Sequence, residues 1–340
     1  MATMKDVARA ADVSASTVSL VINGKAEQYG IPESTRERVF AAVAALDYRP
    51  NRAARNLRIA QDKPAYILFW PLDTRTNMLG VFLSSIQLAI AERGLDCELI
   101  IQTYTNGSIE EPFSSANSST YSGIIIGATS ADDVAYLESQ QPQVPTVLVN
   151  RSSDRYSTVG VSALAVAEHV VDLIRTAGFS HVGFARSNAA YLAANQRMSC
   201  IEELCAQRGL LLDASGSIHV EPSYAGGVLA AQRFLQLADA PKVMICESET
   251  IALGFEHELN RAGARVPEDV AIIVAGSTDD GILHYVTPSI TAVQIPSKHI
   301  ALAALDVLIE AGTQTSRVKM LEPRHVLVDP IVHIRESLAI

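Results

Sequence analysis

The residues whose type and spacing point to chemistry are gathered near the N-terminus. Arg49, Arg52, Arg55 and Arg58 recur every three positions, the last three on a short run that opens after Pro50, with Leu57 as its one apolar tip. On a helix that spacing clusters guanidinium groups, and guanidinium grips phosphate. Upstream, the run Ser14-Ala-Ser-Thr-Val-Ser-Leu-Val-Ile-Asn23, read as a helix, buries Val18, Val21 and Ile22. It then shows Ser16, Thr17, Ser19, Leu20 and Asn23 on the other side. Hydroxyls and amides on an exposed helix face suit phosphates and base edges. Enzyme signatures are missing: there is no GxGxxG, P-loop, GxSxG or HExxH, and His257-Glu258 lacks a second histidine. Cys97, Cys200, Cys205 and Cys246 form no CxxC and have no His at metal spacing, which suits packed thiols in a reducing compartment. Neither a metal nor a cofactor is expected.

Composition narrows the field. A chain of 340 residues, 48% hydrophobic and 19% charged, excludes disorder and is long enough for two or three packed units. Apolar stretches such as residues 124–126 and 301–309 fall short of the roughly 18–20 residues that a bilayer span needs. The first residues hold no apolar signal core, so a cytoplasmic protein is expected. Net charge is −10, but residues 1–60 sum to +3 and the remaining 280 to −13. A small basic head on an acidic body fits a nucleic-acid binder that meets phosphate at one end only.

Periodicity and capping residues predict four short helices in that head. Residues 4–11 place Val7, Ala8 and Ala11 on one face; Asp12, which tolerates a left-handed turn, and Val13 then break the pattern. Ser14 caps the second run, and two short helices about a tight turn make a helix-turn-helix. A third helix starts at Ser34 or at Pro32-Glu33 and puts Val39, Val43 and Leu46 inside. The arginine run is the fourth.

At this point the residues resemble the LacI/GalR family of bacterial transcription regulators. Met4-Lys-Asp-Val-Ala-Arg, Val13-Ser-x-x-Thr-Val-Ser, Val21-Ile-Asn-Gly-Lys25, Thr35-Arg-Glu-Arg-Val39 and Tyr48-x-Pro-Asn51 all stand at the family's spacing. The resemblance implies that Thr17, Ser19 and Asn23 hold phosphates and that Ala15, Ser16 and Leu20 face base edges. It also assigns Tyr48, Asn51, Arg52 and Arg55 to the DNA-binding hinge, and Leu57 to a wedge in the minor groove. The base-reading trio departs from the family pattern, in which an aromatic or amide pair and an Arg are common. Direct readout is therefore thin and DNA shape carries more of it, while Leu20 reads equally as a helix-packing residue. The long loop of residues 24–31 resembles the fructose- and sucrose-responsive branch.

Beyond residue 64, apolar runs of strand length at 65–70, 96–101, 123–127, 146–149, 182–185, 243–246 and 271–274 alternate with segments of helical length. Repeated βα units predict parallel sheets, and chain crossings near residues 159–161 and 289–293 predict two lobes with a cleft. Arg265-Val-Pro-Glu-Asp-Val270, Thr287-Pro-Ser-Ile-Thr-Ala-Val293 and Ala252-Leu-Gly254 extend the resemblance to the family's effector domain. The fold expected is thus an all-α helix-turn-helix DNA-binding head, residues 1–61 with a hinge helix at 50–58, plus an α/β two-lobed periplasmic-binding-protein-like effector domain, residues 62–340. Its N-lobe is expected at 62–160 and 291–321, its C-lobe at 161–290 and 322–340.

Family effector positions fall on Asp73, Asn77, Asn150, Arg197, Ser248 and Thr278, and only Arg197 keeps the usual residue. Aspartates often stand where Asn150 and Thr278 do. With those charges lost and Arg75 and Arg186 gained, one reading is an anionic sugar derivative held by Arg197 with Arg75 or Arg186. The other is a neutral ligand, with the arginines paired to Glu247, Glu249 or Asp279. Tyr224 and Trp70 stack on a ring or pack in the core. The partners implied are palindromic double-stranded operator DNA, a sugar-like effector and a second copy of the chain, with no membrane. An enzyme or a solute-binding transport protein built on the same body is the alternative, against which the head and the missing catalytic motifs argue.

Overall fold

The computed structural model describes residues 4–22, 26, 29–46, 63–72, 76–119, 121–189, 191–278, 281–313 and 322–340, the side chains of residues 76, 77, 213 and 214 apart. The chain divides into two compact units, Met1–Lys63 and Pro64–Ile340.

In the first unit, helices α1 (Met4–Ala10), α2 (Ala15–Ile22) and α3 (Glu33–Ala45) pack around Val7, Val18, Val21 and Val39, all buried. Asp12 takes the turn at φ 51°, where a short polar side chain is tolerated. Ser14 then starts α2, its Oγ accepting the Thr17 N–H at 3.0 Å. One inward position differs from expectation. Leu46 lies just past α3 and is 37% exposed, while Ala42, one turn earlier, is buried in its place. The helix is too short to carry its inward stripe to a residue outside its last turn. The expected fourth helix lies outside the described residues.

The second unit contains two six-stranded sheets. In chain order it runs β1 (Ala65–Pro71), α4 (Thr76–Glu92), β2 (Glu98–Tyr104), α5 (Glu110–Asn117), β3 (Gly123–Ile126), α6 (Ala131–Ser139), β4 (Thr146–Val149) and β5 (Ser157–Gly160). It continues with α7 (Ala163–Thr176), β6 (His181–Ser187), α8 (Leu192–Gln207), β7 (Leu211–Val220), α9 (Tyr224–Phe234), β8 (Val243–Cys246) and α10 (Glu249–Ala262). The last elements are β9 (Ala271–Ser277), α11 (Gly281–His284), β10 (Thr291–Gln294), α12 (Ser297–Gly312), β11 (His325–Leu327) and β12 (Ile331–His333). The sheet orders are β11-β5-β4-β3-β1-β2 and β12-β10-β9-β8-β6-β7, parallel throughout except for β12 against β10. Central strands such as Gly123–Ile126 and Val243–Cys246 are buried at every position, because helices cover both faces of a parallel sheet.

The chain passes between sheets three times: after β5, after β10 and between β11 and β12. The expected lobe boundaries are therefore corrected at both C-terminal segments. Residues 291–294 form β10 and extend the second sheet by pairing with β9. Residues 325–327 form β11 and complete the first sheet beside β5. A strand of three or four residues joins whichever sheet edge is open, and neither edge is visible from local sequence. A continuous apolar core, including Leu68 and Val147 of the first sheet and Val182 and Ile273 of the second, unites the two lobes.

Candidate functional site

In the head, α2 turns Val18 and Val21 inward and leaves Ala15 and Ser16 exposed, with Thr17, Ser19 and Leu20 partly so. Leu20 is partly buried and stands outside the apolar cluster formed by the described residues of the head. Thr17 is drawn into the cap, its Oγ1 lying 2.9 Å from Ser14 Oγ. Asn23, Tyr48, Asn51, Arg52, Arg55 and Leu57 lie outside the described residues, as do Asp73 and Arg75 and the side chain of Asn77.

In the body, a cavity of about 150 Å³ opens between the carboxyl ends of the two sheets. The first lobe contributes Met78 of α4, Ala128 after β3, and Val149, Asn150 and Arg151 at the end of β4. The second contributes Tyr191, Ala193, Ala194 and Arg197 from α8 and its approach, Pro222 after β7, Glu247 to Thr250 after β8, and Gly276 and Thr278 at the end of β9. Ile295, on the crossing after β10, closes the list of walls, held by its N–H to Ser277 O at 2.7 Å.

Arg197 is the central cation. Its Nη1 donates to Ala193 O at 3.2 Å, one turn back on α8, while its Nε is enclosed without a hydrogen-bond partner among the described residues. Burial pulls its pKa down, and the negative fields of Glu247 and Glu249 pull it back up. The guanidinium lies flat against Gly276, where an added Cβ would come within 2.7–3.0 Å of it. Gly276 also has φ +114°, a conformation that L side chains rarely adopt.

Glu247 is 4% exposed and accepts the Ser187 N–H at 3.0 Å through Oε2. Burial raises its pKa, against the lowering effects of that bond and of Arg197, Arg186 and His219. Glu249 opens α10 and accepts the Thr278 hydroxyl at 2.7 Å and the Thr278 N–H at 3.4 Å. Ser248 caps the same helix by accepting the Ile251 N–H at 3.4 Å. Asn150 adopts φ 53° and its Oδ1 accepts the Val161 N–H at 3.2 Å, tying the end of β4 to the first crossing. Arg151 donates through Nε and Nη2 to Thr129 O and through Nη1 to Asn150 O, which ties the end of β4 to the loop after β3.

The cavity thus gathers Asn150, Arg197, Ser248 and Thr278, as expected, and excludes Arg186. That arginine pairs with Glu202 at 2.7 Å, from β6 to α8. Trp70 is core, its ring 5.6 Å from Phe82 and tilted by 41°, and Tyr224 is half exposed outside the cavity. Sequence reading missed Arg151, Tyr191 and Gly276 as walls and took Glu247 and Glu249 only as ion-pair partners. A strand-end position is the one signal that they share.

A helix-turn-helix head joined to two parallel α/β lobes with a cavity at their carboxyl ends defines a class: DNA-binding regulators built on a solute-binding body. Residues 3–51 match the bacterial regulatory proteins of the lacI family, and residues 171–338 match the periplasmic binding protein-like domain. The chain therefore carries a LacI-family helix-turn-helix domain and a periplasmic-binding-protein-like domain, the make-up of a transcription regulator and not of an enzyme. It is 26% identical to the ribose operon repressor of Haemophilus influenzae, over 98% of this chain and 100% of that one. It is 27% identical to catabolite control protein A of Staphylococcus epidermidis, over 90% and 91%. A LacI family transcription regulator from Clostridium acetobutylicum superposes with a TM-score of 0.73 at 26% identity, over 80% of this chain and 100% of that one. No helix among the described residues is long and apolar enough to cross a membrane.

Proposed function

We propose that this chain is a homodimeric, sequence-specific repressor in the cytoplasm whose affinity for a palindromic operator is set by a small sugar or sugar-derived effector. The observation that carries the reading is the enclosed cavity, with Arg197, Glu247 and Glu249 in its wall, in a chain whose other unit is a helix-turn-helix. In the head, residues 1–61, Ala15, Ser16 and Leu20 read bases while Thr17, Ser19 and Asn23 hold phosphates. Tyr48, Asn51, Arg52, Arg55 and Leu57 form the hinge contact. In the body, residues 62–340, Arg197 holds the effector with Asn150, Ser248 and Thr278, and Asp73, Arg75 and Asn77 are the further effector contacts that the family resemblance implies.

Coupling follows from what the walls touch. Asn150 is bonded to the first crossing and Ile295 sits on the second, so a ligand between them biases the angle between the lobes. An anionic effector is the second reading, favoured by the enclosed Nε of Arg197, which has no hydrogen-bond partner among the described residues.

The test is in vitro selection of random duplex DNA by the purified protein at near-physiological salt, alone and with added sugars. The long loop of residues 24–31 supports placing the head near the fructose- and sucrose-responsive branch, so those sugars are tried first. The expected result is a palindrome whose binding changes when one sugar is added. No enrichment under any condition overturns the reading. Leu57→Ala is expected to weaken operator binding while leaving salt-dependent non-specific binding intact, as measured by titration against operator and random DNA.

A further inference from the structure

Arg186 lies outside the cavity but behind one of its walls, and its place there bears on how Arg197 is held, a point that rests on the effector reading above. On β6, Val182 and Phe184 join the apolar core that Met198 and Ile201 of α8 share, and on β8 Val243 and Ile245 do the same. Side chains alternate along a strand, so Arg186 and Glu247 continue those two rows on the face beneath α8. They are cross-strand neighbours: Ala185 pairs with Cys246, and the Glu247 N–H donates to Ala185 O at 2.9 Å. Helix α8 adds two more charges, Arg197 and, five residues on, Glu202, whose Oε1 pairs with Arg186 Nη1 at 2.7 Å. The signs alternate from Glu202 through Arg186 and Glu247 to Arg197, and only the last two line the cavity.

Glu247 lies in the fields of Arg197, Arg186 and, from β7, His219. It is 4% exposed, and the Arg186 side chain is 11% exposed. With so little water nearby, a carboxylate faced by a single arginine draws that arginine onto itself. Arg197 is not so drawn: it forms no ion pair among the described residues, and its guanidinium rests on Gly276. We propose that Arg186 is a positioning residue for the effector site, balancing Glu247 from behind the wall so that Arg197 stays out in the cavity. Glu202 holds Arg186 in turn, and the pair fixes α8, the helix that carries Arg197, to β6. A cation held in this way meets a ligand without first rearranging.

The test is a set of ligand-free crystal structures at pH 8 of the full-length protein as Arg186→Met, Arg186→Lys and Arg186→Met/Glu247→Gln, with melting temperatures to report each fold. In Arg186→Met, Arg197 is expected to leave Gly276 and come within about 4 Å of Glu247, ion-pair distance. In Arg186→Lys, which keeps the charge, and in the double variant, which removes the carboxylate, Arg197 is expected to stay on Gly276. Arg197 still on Gly276 in Arg186→Met overturns the proposal. Arg197 displaced in both Met variants, or failure of both to fold, also overturns it, since Arg186 then acts by packing alone. If only the single variant fails to fold, Arg197 on Gly276 in the double variant supports the proposal and its displacement there overturns it. Calorimetry with D-ribose, D-fructose and D-glucose gives the functional readout. A sugar that binds wild type is expected to bind Arg186→Met at least tenfold more weakly and Arg186→Lys nearly as well, and equal affinity for Arg186→Met overturns the proposal. Binding of none of the three sugars counts against the sugar-effector reading, while the position of Arg197 still decides this one.

Discussion

Arg197 and Gly276 are a matched pair at the level of single residues. The guanidinium occupies the space that a Cβ at Gly276 would fill, so Gly276→Ala must push Arg197 out of the cavity or distort β9. It is expected to lower effector affinity at least tenfold while leaving effector-free operator binding unchanged, a split that calorimetry and DNA titration read separately. Glu256 makes a different prediction. It is 4% exposed, its Oε1 has no partner among the described residues, and burial raises its pKa to about 7 despite a hydrogen bond from Asn260. A carboxyl whose folded pKa lies above its unfolded value stabilises the fold at low pH, and that advantage is lost as pH rises through about 7. Urea unfolding is therefore expected to show stability falling between pH 5 and pH 8 by on the order of 2–3 kcal/mol from this group. Glu256→Gln should flatten that slope; an unchanged slope would mean that the carboxyl is not what titrates.

The elements that hold the cavity depend on close backbone approach. Helices α9 and α10 cross where Gly227 and Gly254 face each other, and a Cβ on either would strike the backbone of the partner helix. Because α10 carries Glu249 and α9 follows Pro222, that crossing sets the depth of the cavity wall. Gly254→Ala is expected to destabilise the body by about 1–3 kcal/mol, the usual cost of overpacking, and to weaken effector binding through displacement of Glu249. Chemical denaturation and calorimetry on the same preparation test both. In the first unit, Ser14 is the comparable element-level device. Ser14→Ala removes the acceptor for the Thr17 N–H and is expected to cost the head about 1 kcal/mol, seen as earlier melting of the head.

For the whole molecule, the division at Lys63 and Pro64 predicts that residues 64–340 fold without the head. The fragment is expected to sediment as a dimer and to bind the effector as the full chain does. A folded monomer would place the dimer contact in the head. Both lobes share one apolar core, so unfolding of the fragment is expected to be a single transition.

The head and the βα alternation were legible because both are local. Ser14, Asp12 and the stripe of Val7, Val18, Val21 and Val39 act within a few residues of themselves, and the apolar runs of β1, β3, β4, β8 and β9 identify buried parallel strands. Leu46 escaped because a cap residue ends the periodicity that placed it inside. The cavity was half legible: Asn150, Arg197, Ser248 and Thr278 follow from resemblance and from strand ends. The sequence by itself determined two units, a DNA-reading helix and a parallel α/β body. Only the tertiary structure decided that β10 and β11 exchange lobes, that Arg186 turns to Glu202, and that Glu247, Glu249 and Gly276 surround Arg197. The reason is that sheet-edge pairing and desolvated charge are set by neighbours distant in the chain, which no local pattern encodes.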